Sequence, residues 1–299
     1  MPTDIDGILL LDKPLGLSSA GAVARVKHLF GARKAGHTGS LDPLASGMLP
    51  ICLGEATKFG AQLLDADKTY RVTARLGERT PSADRESEVI ERRELPDFSI
   101  EALQRSLDEF PREYLQIPPM HSAIKQDGRP LYEYARAGIT RERAPRTILI
   151  HDMRLLDWRA PDLTFDVRCS KGAYIRVLAE DLAARLGTIA HLAGLRRLGV
   201  APFAAERQWT FQDLDAMEPR ARLEALLPVD AALSDWRRFD LPAAGVSAIR
   251  QGQSVAIPLQ NPGNVRIYAA GVGFLGLGAI EPAGRLVPLR LISAIANRA

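Results

Sequence analysis

Two adjoining stretches of this chain place glycine, histidine and carboxylate at spacings that could do chemistry. Gly31-Ala-Arg-Lys-Ala-Gly36-His37-Thr38 nearly spells a phosphate-binding loop. Such a loop needs a lysine after its second glycine to hold the terminal phosphates, and it follows a strand. Here His37 takes the lysine's place and the preceding residues read as a helix, which argues against ATP binding. The second stretch, Gly36 to Pro50, contains three glycines and two prolines. It can form a compact loop whose backbone approaches a ligand closely. Pro43 pushes Asp42 out of helical geometry, so the carboxylate projects from a fixed turn. Taken alone, Asp42-Pro43 reads equally as a turn with a capping carboxylate, and a lone His37 as a core histidine.

These residues need a scaffold, and the hydrophobic pattern predicts one. Gly7 to Leu11 is an apolar run closed by Asp12-Lys13-Pro14, a buried strand. Ser18 and Ser19 cap a helix over Ala20 to Phe30, stopped by Gly31. Lys68 to Leu76 alternates, with Tyr70, Val72, Ala74 and Leu76 on one face. Thr80 to Arg93 is polar and reads as a solvent loop. Ser99 caps a helix with Ile100, Leu103, Leu107 and Phe110 at helical spacing. Leu163 to Cys169 alternates again and turns at Ser170-Lys171-Gly172 into a helix carrying Ile175, Leu178, Leu182 and Leu186. Such strands predict an α+β fold, a mixed and mostly antiparallel sheet with flanking helices. The pattern breaks at Leu241-Pro242 and Gly245. Short β-like runs follow from Ser254 to Ile292, as in a small β-barrel. The reading therefore divides the chain into residues 1–240 and 246–299.

Composition bounds the function. A chain of 299 residues, 46% hydrophobic and 25% charged, is globular and can bury a large core. Cys52 and Cys169 lie far apart, which argues against a disulfide scaffold and a structural zinc site and fits a reducing, cytoplasmic setting. Met1 to Asp6 carries two acids and no basic stretch, so no secretory signal is expected. The apolar run Ala269 to Ile280 is too short to span a bilayer. Seven of the 39 basic residues are lysine, leaving 32 arginines, whose planar fork suits phosphates and stacked bases. Five arginines against Glu281 alone give Val246 to Ala299 a local balance of +4. That points to a polyanionic partner, or to a solvated surface.

The run from Gly36 to Pro50, flanked by Gly7 to Ser19 and by Gly54-Glu55-Ala56-Thr57-Lys58, resembles the TruB-type tRNA pseudouridine synthases. The resemblance continues through Lys68-Thr69-Tyr70-Arg71-Val72, Pro118 to Ala123, Cys169 to Arg176 and Leu195-Arg196-Arg197-Leu198. The tail, with Gly252, Val265-Arg266, Phe274-Leu275-Gly276 and Leu286 to Arg290, resembles the RNA-binding PUA barrel. One stretch departs from the family. Its Thr-Asp-Thr-x-Asp-x-x-Gly pattern gives way here to Thr80-Pro81-Ser82-Ala83-Asp84-Arg85-Glu86-Ser87, so the conformation of the loop from Thr80 to Glu88 is open, while the active site is expected to be untouched by the departure.

The resemblance implies the pseudouridine synthase fold and isomerisation of uridine in the tRNA T loop, at the position conventionally numbered 55. It implies base flipping, an essential aspartate, and neither cofactor nor metal. Carried over, the aspartate is Asp42, whether it attacks C1′ or C6 or removes a sugar proton. Tyr70 matches the tyrosine that stacks on the uracil, Arg176 the arginine paired with the carboxylate. Tyr174 and Leu195 match pocket walls, His37 the histidine that fills the flipped base's place, and Lys13 a basic residue near the pocket. Partners are then the tRNA T-stem-loop, with no membrane and no required protein, for a cytoplasmic monomer that also helps tRNA fold. Two other classes compete. One is a non-catalytic RNA-folding protein. The other is an aspartate hydrolase, which needs a second carboxylate; Asp12, Glu55 and Glu180 offer no obvious pairing.

Overall fold

The structure is a computed structural model that describes residues 5–203 and 206–293; Met1 to Asp4 and the end of the tail, with Arg298 and Ala299, lie outside the described residues. Eight strands build the main sheet: β1 (Gly7–Lys13), β2 (Ala35–His37), β3 (Ala45–Leu53), β4 (Lys68–Leu76), β5 (Glu113–Gln116), β6 (Arg146–Arg159), β7 (Asp162–Cys169) and β8 (Ala190–Val200). Their order is β1-β3-β8-β4-β7-β6-β5, with β2 also on β3. Neighbours run antiparallel except β8 beside β3, so the sheet is mixed and mostly antiparallel as expected.

Three helices cover one face: α1 (Ser19–Phe30), α2 (Ile100–Asp108) and α3 (Ile175–Arg185). Val26, Leu103, Leu107, Leu178 and Leu182 pack there against Val72, Ala74 and Phe165 in one core. Local chemistry sets the helix ends. Ser18 accepts the Gly21 N–H and Gly31 closes α1 at φ 65°, where a side chain would be strained. Ser99 accepts the Ala102 N–H and starts α2. Leu103 and Leu107 are the buried residues of α2, whereas Ile100, at its first position, is 59% exposed. Among the described residues, no helix is long and apolar enough to cross a membrane.

The second sheet contains β9 (Arg237–Leu241), β10 (Val255–Ala256), β11 (Gly263–Ala269), β12 (Gly273–Glu281) and β13 (Arg285–Leu291), ordered β9-β11-β12-β13-β10. It curls into a half-barrel. The break read at Leu241-Pro242 is the end of a strand: β9 pairs in parallel with β11, and Pro242 starts helix α4 (Ala243–Arg250). Proline suits a helix start because its missing N–H would be unpaired there anyway. The sheet thus reaches upstream of Val246. It is also docked. Leu277 shares a core with Phe59, Ile8 and Met48 of the larger unit, and the Phe59 and Phe274 rings meet edge to face at 5.4 Å.

Candidate active site

Asp42 is held by hydrogen bonds to both of its neighbours. Leu41 donates its N–H to Ser19 Oγ at 2.8 Å and accepts from that hydroxyl at 3.0 Å. Gly16 N–H reaches the Pro43 carbonyl at 2.8 Å, and Ala45 N–H closes the turn on the Asp42 carbonyl at 3.0 Å. The Asp42 side chain remains 42% exposed and lies 3.2 Å from the Arg176 guanidinium. Burial raises its pKa above the ordinary carboxylate value, opposed by Arg176 and, more weakly, Lys13, while Asp84 adds to the rise.

Arg176 sits in the first turn of α3, where Gln116 of β5 fixes the capping residue Tyr174. Tyr174 N–H donates to Gln116 Oε1 at 2.7 Å, and Gln116 Nε2 donates to the Tyr174 carbonyl at 3.1 Å. The arginine is buried and both terminal nitrogens of its fork are engaged. It donates to the His121 carbonyl at 2.7 Å and the Ser82 carbonyl at 3.1 Å, and meets Asp84 at 3.4 Å.

Asp84 corrects the expectation of a solvent loop. The segment from Thr80 folds inward, with Thr80, Ala83 and Asp84 buried. It docks as a short parallel bridge on β8: Leu192 N–H donates to the Ala83 carbonyl at 2.9 Å and Arg85 N–H to the Leu192 carbonyl at 3.1 Å. Asp84 Oδ1 accepts from Ser82 Oγ at 2.6 Å and Glu86 N–H at 3.0 Å. The loop that departs from the family pattern is therefore part of the carboxylate–arginine cluster. The signal in the sequence is that Asp84 keeps the second aspartate of that pattern; its burial comes from docking on β8.

Tyr70 is 8% exposed in β4, opposite Arg197 of β8. Its side chain is hydrogen-bonded to Arg197, and burial pushes its phenol upward. Arg197 is a second residue that residue-by-residue reading passed over. It is 1% exposed and donates to the carbonyls of Met48 at 2.6 Å and Gly39 at 3.1 Å. Gly47 lets β3 pass this close: at φ 99°, any Cβ there would sit 2.2 Å from the Arg197 carbonyl oxygen.

The other expected residues gather around this pair. Lys13 is fully buried, donates to the carbonyls of Pro14 at 2.9 Å and Leu17 at 2.7 Å, and is pushed down to about 8 by burial. Its ammonium thereby pins the turn leading into α1, while its charge acts on Asp42. Tyr174 feels both Arg176 and Asp42. Leu195 lies in β8 between Ala45 and Val72, half-buried against the core. His37 is half-buried, with Nδ1 lacking a hydrogen-bond partner among the described residues and its pKa lowered by burial and by Arg197. Of the acids weighed for a hydrolase, Asp12 is taken by Arg196 at 2.7 Å and Glu55 by Lys58 at 2.7 Å, while Glu180 in α3 is pushed up to about 7 by burial and by Asp181.

The chain matches known families along most of its length. Residues 27–175 match the TruB family pseudouridylate synthase N-terminal domain, and residues 176–234 the tRNA pseudouridylate synthase B C-terminal domain. Residues 238–292 match the C-terminal domain of pseudouridine synthase II TruB, which begins where β9 does. The tRNA pseudouridine synthase B of Sodalis glossinidius (strain morsitans) is 50% identical over 97% of this chain and 96% of that protein. That of Burkholderia mallei (strain NCTC 10247) is 48% identical over 96% and 97%. A solved Cbf5-Nop10-Gar1 complex contains a chain that superposes with a TM-score of 0.72 at 25% identity, covering 98% of this chain and 85% of that one. Sequence, fold and the order of the matched domains agree, and this chain belongs to the TruB family of pseudouridine synthases.

Proposed function

We propose that this protein isomerises uridine to pseudouridine in tRNA, at position 55 of the T loop, with Asp42 as the catalytic carboxylate. One observation carries the assignment. Of the two carboxylates that meet Arg176, Asp84 is enclosed, at 4% side-chain exposure, whereas Asp42 is 42% exposed and can reach a substrate. Both oxygens of Asp84 are already engaged, which leaves it a support for Arg176 rather than a second acid or base and disfavours hydrolysis.

The reaction is an internal exchange. The bond from N1 to C1′ breaks, a bond from C5 to C1′ forms, the proton on C5 leaves and N1 regains one. Nothing is oxidised or reduced, so a carboxylate and a proton acceptor suffice. Asp42, whose ionised form Arg176 and Lys13 favour against burial, serves as nucleophile or base at the sugar or the ring. The Tyr70 ring stacks on the uracil, and its hydroxyl, beside Arg197, assists removal of the C5 proton. The base must leave the loop's stack to reach Asp42, at a cost of about a few kcal/mol, and His37 fills its place while Tyr174 and Leu195 wall the pocket. Opening the T loop in this way also gives misfolded tRNA a route to refold. The curled C-terminal sheet adds phosphate contacts through its arginines. The enzyme works as a cytoplasmic monomer with no protein partner.

Tritium release from a T-stem-loop RNA labelled at C5 of uridine tests this reading. One tritium released per RNA, with pseudouridine formed at position 55, is expected. RNA binding without release would leave only the folding role.

A further inference from the structure

Ser87 stands where the family pattern has glycine, and its hydroxyl lies at the end of a hydrogen-bond chain that leads to Asp42. Ser82 N–H donates to Ser87 Oγ at 3.1 Å, and the two serine hydroxyls bond each other. Ser82 Oγ also lies 2.6 Å from Asp84 Oδ1. An ionised carboxylate only accepts, so the Ser82 proton points to Asp84 and the Ser87 proton to Ser82. Asp84 Oδ2 then meets Arg176 at 3.4 Å, and Arg176 meets Asp42 at 3.2 Å. The Ser82 carbonyl takes a further Arg176 donor at 3.1 Å. Every hydroxyl in the chain thus has one possible direction.

We infer that Ser87 is a positioning residue for Asp42: its hydroxyl closes the loop from Thr80 and orients Ser82, which in turn fixes Asp84 and the Arg176 fork. Neither of the two residues before Ser82 in this loop can do the same. Pro81 already limits the loop's backbone, but it cannot orient a hydroxyl. Thr80 bonds only the Asp84 carbonyl, at 2.6 Å, and not its carboxylate.

The inference rests on Asp42 as the catalytic carboxylate, and two measurements separate the two claims. Ser87→Ala and Ser87→Gly should each lower kcat about three- to tenfold, the worth of one hydrogen bond. KM for the T-stem-loop RNA should stay unchanged, and Ser87→Thr, which keeps the hydroxyl, should restore kcat. In the RNA-free protein the Ser82 amide should exchange hydrogen faster in Ser87→Ala, whatever the activity. Wild-type kcat in Ser87→Ala, or a loss that Ser87→Thr fails to restore, would overturn the positioning role. If the wild-type enzyme releases no tritium, the catalytic reading fails, and the Ser82 amide alone decides the loop contact: unchanged exchange refutes it.

Discussion

On the open face of the main sheet, Arg71 and Arg75 of β4 grip Asp166 and Asp162 of β7, each through two hydrogen bonds of 2.8 to 3.0 Å. On the covered face of the same strand, Lys68 and the nearby Arg197 have carbonyl oxygens instead. Lys68 donates to Leu63, Leu64 and Ala66 at 2.6 to 3.1 Å, and burial pushes it down to about 8. The open face neutralises its charges pair by pair in water, where each pair is worth about 0 to 1 kcal/mol. The covered face sets Arg176 against Asp42 and Asp84, with Lys13 acting on Asp42 and with Lys68 and Arg197 buried on backbone carbonyls. Arg176 and Lys13 there oppose the rise that burial imposes on the Asp42 pKa. The same residue types keep a surface soluble on one side and set a reactive group on the other.

The largest expected break is at Asp42. Asp42→Asn should end tritium release, because the amide is neither nucleophile nor base, while RNA affinity stays within about tenfold, or about 1.4 kcal/mol. The variant should also melt at a higher temperature than wild type. Burial raises the Asp42 pKa above its unfolded value, so the folded state holds this proton more tightly and loses stability as pH rises through that window; the neutral amide escapes the cost. Measurable turnover by Asp42→Asn would remove Asp42 from the centre.

Tyr70→Phe comes next. Folding and binding should persist, because volume is nearly conserved, while product formation falls by orders of magnitude. Equal turnover would make Tyr70 a core residue only. Arg176→Lys should cost about 10- to 100-fold in kcat, since a point charge cannot hold both carboxylates and both carbonyls. Near wild-type turnover in this variant would separate Arg176 from Asp42's chemistry.

Smaller effects sharpen the comparison. The acid limb of kcat should lie above the ordinary carboxylate range, with activity lost as pH falls and Asp42 takes up its proton. A midpoint at or below about 4 would mean that burial does not govern it. On the open face, Arg71→Gln should change denaturant stability by less than about 1 kcal/mol and leave kcat untouched. A large activity loss there would show that the two faces are coupled.

Alternation in β4 and β7, serine caps on α1 and α2, and the Asp42-Pro43 turn could be read directly, because each depends on residues a few positions apart. So could the two-part architecture, although not the start of the second sheet. β9 pairs in parallel with β11, more than twenty residues later, and no local pattern records a pairing at that distance. The docking of Phe274 on Phe59 was equally silent, since an apolar residue does not announce which surface it covers.

For the site, the sequence by itself determined the reactive turn and, through the family resemblance, the residues expected around it. Proline and glycine restrict the backbone wherever they stand, and that constraint is local. Only the tertiary structure decided that Asp84 completes the arginine cluster, that Arg197 is buried beside Tyr70, and that Asp42 is the exposed member of its pair. A polar loop is soluble or buried according to what it docks against. Here Leu192 of β8, more than a hundred residues away in the chain, supplies the backbone groups that draw the loop inward and carry Asp84 to Arg176.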